Sequence, residues 1–328
     1  MNVESKWSRG RRVGALARAL APALVMTLAA CTATPVPRPS PETAVNGVPN
    51  RTDDPRAQGH QLANACAGRE GWADAAPPAR IHGNTYYVGT CGIAVLLLTS
   101  PQGHVLIDGA TEEAVPSILA NIRSLGFDPR DIRFIIGSHE HLDHMGGFAA
   151  LKAATGAQVW ASEAARPSLE NGTVDADDPQ YGIIPGMRPV PVHGIVSDGT
   201  IISPDNDSIR LTAVPTPGHT SGGTSWTWRS CESGDCVTFA YVDSLTAVSA
   251  DDYRFADHPE RVAPFRSTFD RVAAMPCDVL ITPHPSFSNL FARLSGNEPL
   301  VDPAACRRLV ESMRVRLDTR LARESSGG

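Results

Sequence analysis

Four potential metal ligands fall within six residues of this chain, in His139-Glu140-His141-Leu142-Asp143-His144. The apolar run Ile132 to Ile136 with Gly137-Ser138 precedes them and reads as a short buried strand. Gly146-Gly147 and then Phe148 to Thr155 follow and read as a helix. The cluster therefore belongs to a strand-to-helix loop, where side chains can converge on one point. His139 and His141 are two apart, which places them on different sides of a helix but on one face of an extended segment. They can hold the same ion. Asp143 and His144 lie where the chain curls into the helix and suit a second ion. Imidazole and carboxylate ligands at this density suit zinc.

Further ligands have to come from elsewhere in the chain. His219 lies in the turn-rich Pro217-Gly218-His219-Thr220-Ser221-Gly222-Gly223, after the apolar Ile209 to Val214. His284 follows the apolar Val279-Leu280-Ile281 in Thr282-Pro283-His284-Pro285. Both sit at C-terminal ends of expected strands, where α/β folds place chemistry. His60, His82, His104, His193 and His258 have no such cluster around them and read as surface or core residues.

The His-x-His-x-Asp-His loop, a later Gly-His in a Gly-rich turn, an Asp closing a strand and a last His after another strand together resemble the metallo-β-lactamase superfamily. The resemblance runs from about Cys66 to the C-terminal helix. Within it, Tyr241-Val242-Asp243-Ser244-Leu245-Thr246 resembles the class B β-lactamases of subclass B3, with Ser244 where other subclasses carry a zinc-binding Cys. The resemblance implies an αββα four-layer sandwich, two mixed β-sheets flanked by helices. It also implies two βα halves meeting near residue 205. It assigns His139, His141 and His219 to a first zinc and Asp143, His144 and His284 to a second. Ser244, Thr246 and, from the loop Asp178-Pro179-Gln180-Tyr181-Gly182, Gln180 would contact substrate. Asp108, closing Val105-Leu106-Ile107, would orient a ligand rather than bind an ion. Asp243 would coordinate no metal in a β-lactamase but would bridge both ions in a glyoxalase II-like thioesterase or a lactonase.

The chemistry follows from two three-ligand sets. Three protein ligands leave zinc open to water, whose pKa drops to about 7. Hydroxide is then available at neutral pH to attack the strained lactam carbonyl, with Asp143 also orienting the nucleophile. Ser221, near His219, has no evident dedicated base for a serine mechanism. The expected activity is zinc-dependent hydrolysis of β-lactam antibiotics, carbapenems included. The alternatives are the thioesterase or lactonase and, from another class, a non-catalytic zinc-binding lipoprotein. The last is disfavoured because structural zinc sites are closed by four ligands.

The first thirty residues read as an address rather than as fold. A basic leader with Lys6, Arg9, Arg11, Arg12 and Arg18 precedes a short apolar stretch from Ala19 to Ala30. That stretch is too short to span a bilayer and reads as a secretory signal. Leu28-Ala29-Ala30-Cys31 resembles the lipobox of bacterial lipoproteins, which implies a lipid anchor at Cys31. Thr32 in place of Asp there implies delivery to the outer membrane, facing the periplasm. The Pro- and Thr-rich residues 31–60 read as a tether, leaving 61–328 as a single catalytic domain. The net charge of −6 argues against a nucleic-acid surface, and monomer is the default state. Six cysteines remain after Cys31. Cys231 and Cys236 bracket a hairpin-like turn, Cys277 and Cys306 match a B3 disulfide, and Cys66 and Cys91 are left for each other.

Overall fold

The computed structural model describes residues 54–204 and 208–326. Two mixed sheets carry the strands. The first runs in chain order through β1 (Ala79–His82), β2 (Thr85–Tyr87), β3 (Leu96–Leu98), β4 (His104–Ile107), β5 (Ile132–Ile136), β6 (Gln158–Ser162) and β7 (Gly194–Val196). Its first four strands are antiparallel hairpin partners, and from β4 to β7 the pairing is parallel. The second comprises β8 (Ile201–Ile202), β9 (Leu211–Pro215), β10 (Thr224–Glu232), β11 (Asp235–Tyr241) and β12 (Val279–Ile281), in spatial order β12-β11-β10-β9-β8. Only β11 and β12 pair in parallel there. The helices are α1 (Pro55–Ala65), α2 (Val115–Ser124), α3 (Leu142–Met145), α4 (Phe148–Thr155), α5 (Arg166–Asn171), α6 (Pro259–Ala273), α7 (Leu290–Leu294) and α8 (Ala305–Ser325).

Three apolar clusters show how these elements stack. Alternation along the strands sorts side chains between opposite faces of each sheet. Leu96, Leu98, Val105 and Ile107 face Leu211, Ala213, Trp226, Phe239 and Tyr241, so the two sheets pack against each other. The intervening Leu97 and Leu106 point the other way, into Ile118 and Ile122 of α2 and Phe148 and Leu151 of α4. Ala240 and Leu280 meet Phe265 and Phe269 of α6 and Val310, Met313 and Leu317 of α8. Helices, sheet, sheet and helices form the αββα sandwich. The apolar runs in β3, β4 and β12 follow from it, since strands covered on both faces have no solvent side.

The chain crosses from one sheet to the other between Val196 and Ile201; position 205 lies outside the described residues. Residues 55–60, read above as part of the tether, instead open α1. Asp54 caps that helix by accepting from the Arg56 amide, Pro55 fills its first turn, and Leu62 is buried in the inter-sheet core. The folded domain therefore begins before the expected boundary at residue 61, with α1. Signal, lipobox, Cys31 and the tether up to residue 53 fall outside the described residues. Among those described, no helix is long and apolar enough to cross a membrane. Disulfides join Cys66 to Cys91, Cys231 to Cys236 and Cys277 to Cys306.

Candidate metal centre

Every expected ligand follows the C-terminal end of a strand, and both sheets contribute. His139, His141, Asp143 and His144 come after β5, His219 after β9 and His284 after β12. His141 caps α3 with extended backbone (φ −85°, ψ 155°), which keeps its ring beside His139, 4.8 Å between centroids. His219 joins them at 4.6 Å from His139 and 5.0 Å from His141. The three offer ring nitrogens lying within 4.8 Å of one another. The helical turn of α3 carries Asp143 and His144 to the other side of His139. There Asp143 Oδ2 lies 3.1 Å from His144 Nε2 and 3.4 Å from His284 Nε2. His139, Asp143 and His144 also satisfy the 4.8 Å spacing, so His139 stands between the two sets.

The outward contacts decide which nitrogen each ring presents. His139 Nδ1 meets Asp243 Oδ1 at 2.7 Å, His144 Nδ1 meets Asp108 Oδ2 at 3.2 Å, and His219 Nδ1 donates to the Thr246 carbonyl at 2.7 Å. His284 Nδ1 donates to the Gly92 carbonyl at 3.2 Å. These four rings present Nε2 inward. His141 is reversed: its Nε2 meets Asp178 Oδ2 at 3.1 Å, leaving Nδ1 for an ion. A buried ring nitrogen facing others of its kind has no protein donor to satisfy it. His139 Nε2 is buried without a hydrogen-bond partner, and His144 Nε2 has only the Asp143 carboxylate, 3.1 Å away. A divalent cation fits that donor set, because it replaces the missing partner for several lone pairs at once.

Electrostatics at the cluster are split. Burial, reinforced by the charge of His141, pulls His219 down to about 3, and burial with its neighbouring imidazoles holds His139 well below the usual range. Both are neutral and able to ligate. Burial also opposes charge on His144, but Asp143 and Asp108 outweigh it and carry the imidazole up to about 10. Asp143 is held well below the usual carboxylate range by His144 and His284 in spite of its burial. Two carboxylates thus favour positive charge at His144, the place a metal cation would take over.

The supports are as buried as the ligands. Asp108 adopts a left-handed backbone (φ 62°) in the turn after β4. Its carboxylate accepts from the Ser138 amide at 2.6 Å, the Ser138 hydroxyl at 2.8 Å and the Tyr241 hydroxyl at 2.7 Å, besides holding His144. Asp243 is engaged behind His139, on the side away from Nε2. Gly223 is required here: a Cβ would come within 2.5 Å of Asp243 Oδ2 and 2.6 Å of the Thr216 carbonyl. Sequence reasoning passed over two supports. Glu140, between the first two ligands, points away from them and accepts from the Thr220 hydroxyl at 2.8 Å and the Gly222 amide at 2.9 Å, tying the His219 loop to the His139 loop. Its place inside the motif was the available signal. Asp178 had none, because only the fold brings it to His141.

A cavity of about 870 Å³ opens over the cluster. His141, Asp143, His219 and His284 line it, together with Ser244, Thr246 and Gln180. Thr246 proves to have a structural part as well, through the carbonyl that orients His219. Ser221 accepts from Arg261 Nη1 at 2.7 Å, an arrangement that ties it to α6.

Comparison with known proteins agrees with this geometry. Residues 88–232 match the family model described as the metallo-beta-lactamase superfamily. The metallo-β-lactamase MIM-1 from Novosphingobium pentaromativorans is 51% identical with a TM-score of 0.79, covering 82% of this chain and 99% of its own. MEM-A1, a subclass B3 metallo-β-lactamase from a soil metagenome library, is 39% identical with a TM-score of 0.75, covering 79% and 100%. A curated relative, the N-acyl homoserine lactonase AttM of Azorhizobium caulinodans, is 25% identical over 182 residues, covering 43% of this chain and only 61% of its own length. The chain belongs to the metallo-β-lactamase superfamily, among its subclass B3 members.

Proposed function

We propose that the protein hydrolyses the amide bond of β-lactam antibiotics, carbapenems included, at a two-zinc centre, and so confers resistance. When bound, zinc supplies a Lewis acid and lowers the pKa of a water to about 7. His139, His141 and His219 would hold the first ion; Asp143, His144 and His284 would hold the second. Asp143 is the carboxylate placed to orient the attacking water and to take its proton. The water oxygen bonds to the lactam carbonyl carbon, the C–N bond breaks, and the proton goes to the departing nitrogen. Ser244 and Thr246 line the same cavity, and hydroxyl side chains suit the carboxylate beside the lactam ring.

The observation that carries this reading is the donor cluster flooring an open cavity in a chain 51% identical to a metallo-β-lactamase over 99% of that enzyme. The lactonase relatives supply the second reading, and the position of Asp243 speaks against it. Its Oδ1 is taken by His139 Nδ1, where a bridging role needs the carboxylate between the ions. The test is hydrolysis of a carbapenem, a thioester and a homoserine lactone by the purified mature protein, with and without chelator. The carbapenem ring should open, and chelation should abolish this reversibly. A fully metallated protein that opens the lactone but leaves every β-lactam intact overturns the proposal.

We further propose export to the periplasm and anchoring through a lipid on Cys31, as a monomer. The lipobox-like Leu28-Ala29-Ala30-Cys31 motivates the anchor. Cys31→Ser should free the enzyme from the membrane fraction with activity intact, and a variant that still sediments with membranes refutes it.

A further inference from the structure

The last helix, α8, lines the cavity with three cations, Arg316, Arg320 and Arg323. Their i, i+4, i+7 spacing sets them in one stripe. The middle one is fully engaged: Arg320 donates to Glu324 Oε1 at 2.6 Å, to Ser249 Oγ at 2.6 Å and to the Ala247 carbonyl. Those bonds pin α8 alongside the segment that carries Ser244 and Thr246. Arg316 and Arg323 are exposed, and among the described residues neither guanidinium has a hydrogen-bonding or carboxylate partner. Arg316 is nevertheless held in place. Its guanidinium carbon lies 5.5 Å from the centroid of the Phe287 ring, and that ring lies 6.3 Å from the ring of His284. A cation–π contact uses the face of the guanidinium and none of its five N–H donors. The chain as a whole is acidic, with net charge −6, yet the acidic residues on this wall are only Glu70 and the metal-site Asp143.

We propose that Arg316 forms a subsite for a second anionic group on the substrate, so that β-lactams carrying a carboxylate or sulfonate beyond the ring carboxylate are favoured. This rests on the β-lactam reading above. There the ring carboxylate is met by Ser244 and Thr246, which leaves the Arg316 fork for a substituent further from the scissile bond. A planar guanidinium matches a carboxylate through two parallel hydrogen bonds. Arg323, about 10 Å further along the helix axis, extends the same positive potential.

The test uses the zinc-loaded full-length protein with benzylpenicillin and its α-carboxy derivative, which differ by one carboxylate. The measured quantity is the ratio of kcat/KM for the carboxylated to the plain substrate. Arg316→Ala should lower that ratio about three- to fivefold through KM, the scale of an exposed ion pair. Arg316→Lys should restore at least half of the loss. In the wild type the ratio should fall as salt is raised from about 0.02 to about 0.3 M, and this dependence should be weaker in Arg316→Ala. An unchanged ratio in Arg316→Ala overturns the subsite. So does an equal rise in KM for both substrates, which would put Arg316 on the ring carboxylate. A wild-type protein that opens neither ring overturns the β-lactam reading itself, and the subsite with it.

Discussion

Removing the carboxylate of Asp178 should weaken the first ligand set without deleting any ligand. Asp178 Oδ2 meets His141 Nε2 at 3.1 Å, and the two side chains are 5% and 2% exposed. The contact fixes the ring proton on Nε2 and so frees Nδ1 as the donor toward His139 and His219. Asp178→Ala removes a charge-assisted hydrogen bond worth about 1.5–3 kcal/mol, a factor of roughly 10–100 in metal affinity. It also lets the proton move to Nδ1, where it blocks coordination. Asp178→Asn keeps one oxygen, which can accept from the ring in place of Oδ2 but not also from the Gln180 amide, now 2.7 Å from Oδ1, and should cost about tenfold or less. Competition between the protein and a chromophoric zinc chelator at pH 7.5 measures both sites in one titration. The weaker binding should appear in one of two equivalents, with thermal stability of the metal-free protein little changed. An Ala variant that holds both equivalents within twofold of wild type refutes the assignment of Nδ1 and of Asp178.

His219→Ala should lower the affinity of one zinc equivalent and Asp143→Asn that of the other, since each takes one donor from a different set; metal analysis showing one ion, retained in Asp143→Asn, contradicts this. Loss of Cys277–Cys306 or Cys66–Cys91, which close separations of 29 and 25 residues, should cost about 3.5 kcal/mol each, against about 2 kcal/mol for Cys231–Cys236. Denaturant unfolding of the paired Ser variants gives that order, and equal losses would contradict it. Loss of Cys66–Cys91 should also loosen the second ion, because the Gly92 carbonyl beside Cys91 accepts from His284. Glu324 is pushed up by burial but held lower on balance by Arg320 and the Ala256 amide, so its folded pKa lies below its unfolded one. The stability it contributes is complete above about pH 4.3 and is lost as pH falls through the folded value. Glu324→Gln should therefore cost about 1.5 kcal/mol from pH 8 to 5, with the gap closing only below about pH 4; a gap that widens on acidification refutes the sign.

The cluster of candidate ligands was legible in the sequence because the spacing of its first four members is local. Two residues of extended chain put His139 and His141 on one face, and one turn of helix carries Asp143 and His144 past them, whatever the rest of the chain does. Strand ends before His219 and His284 were legible for the same reason, since Val279-Leu280-Ile281 announces a strand buried on both faces. The stretch before residue 61 was misjudged because α1 has little apolar periodicity of its own; only docking of Leu62 into the inter-sheet core makes it part of the domain. Asp178, Glu140 and the stacked Arg316 belong to the tertiary structure in the same way. They are separated from their partners by 37 or more residues or, for Arg316, by the break between Phe287 and α8. Hydrogen-bond direction is a further decision of the fold. That His141 presents Nδ1 while four other histidines present Nε2 depends on which buried acceptor lies behind each ring, and no pattern along the chain encodes that neighbour.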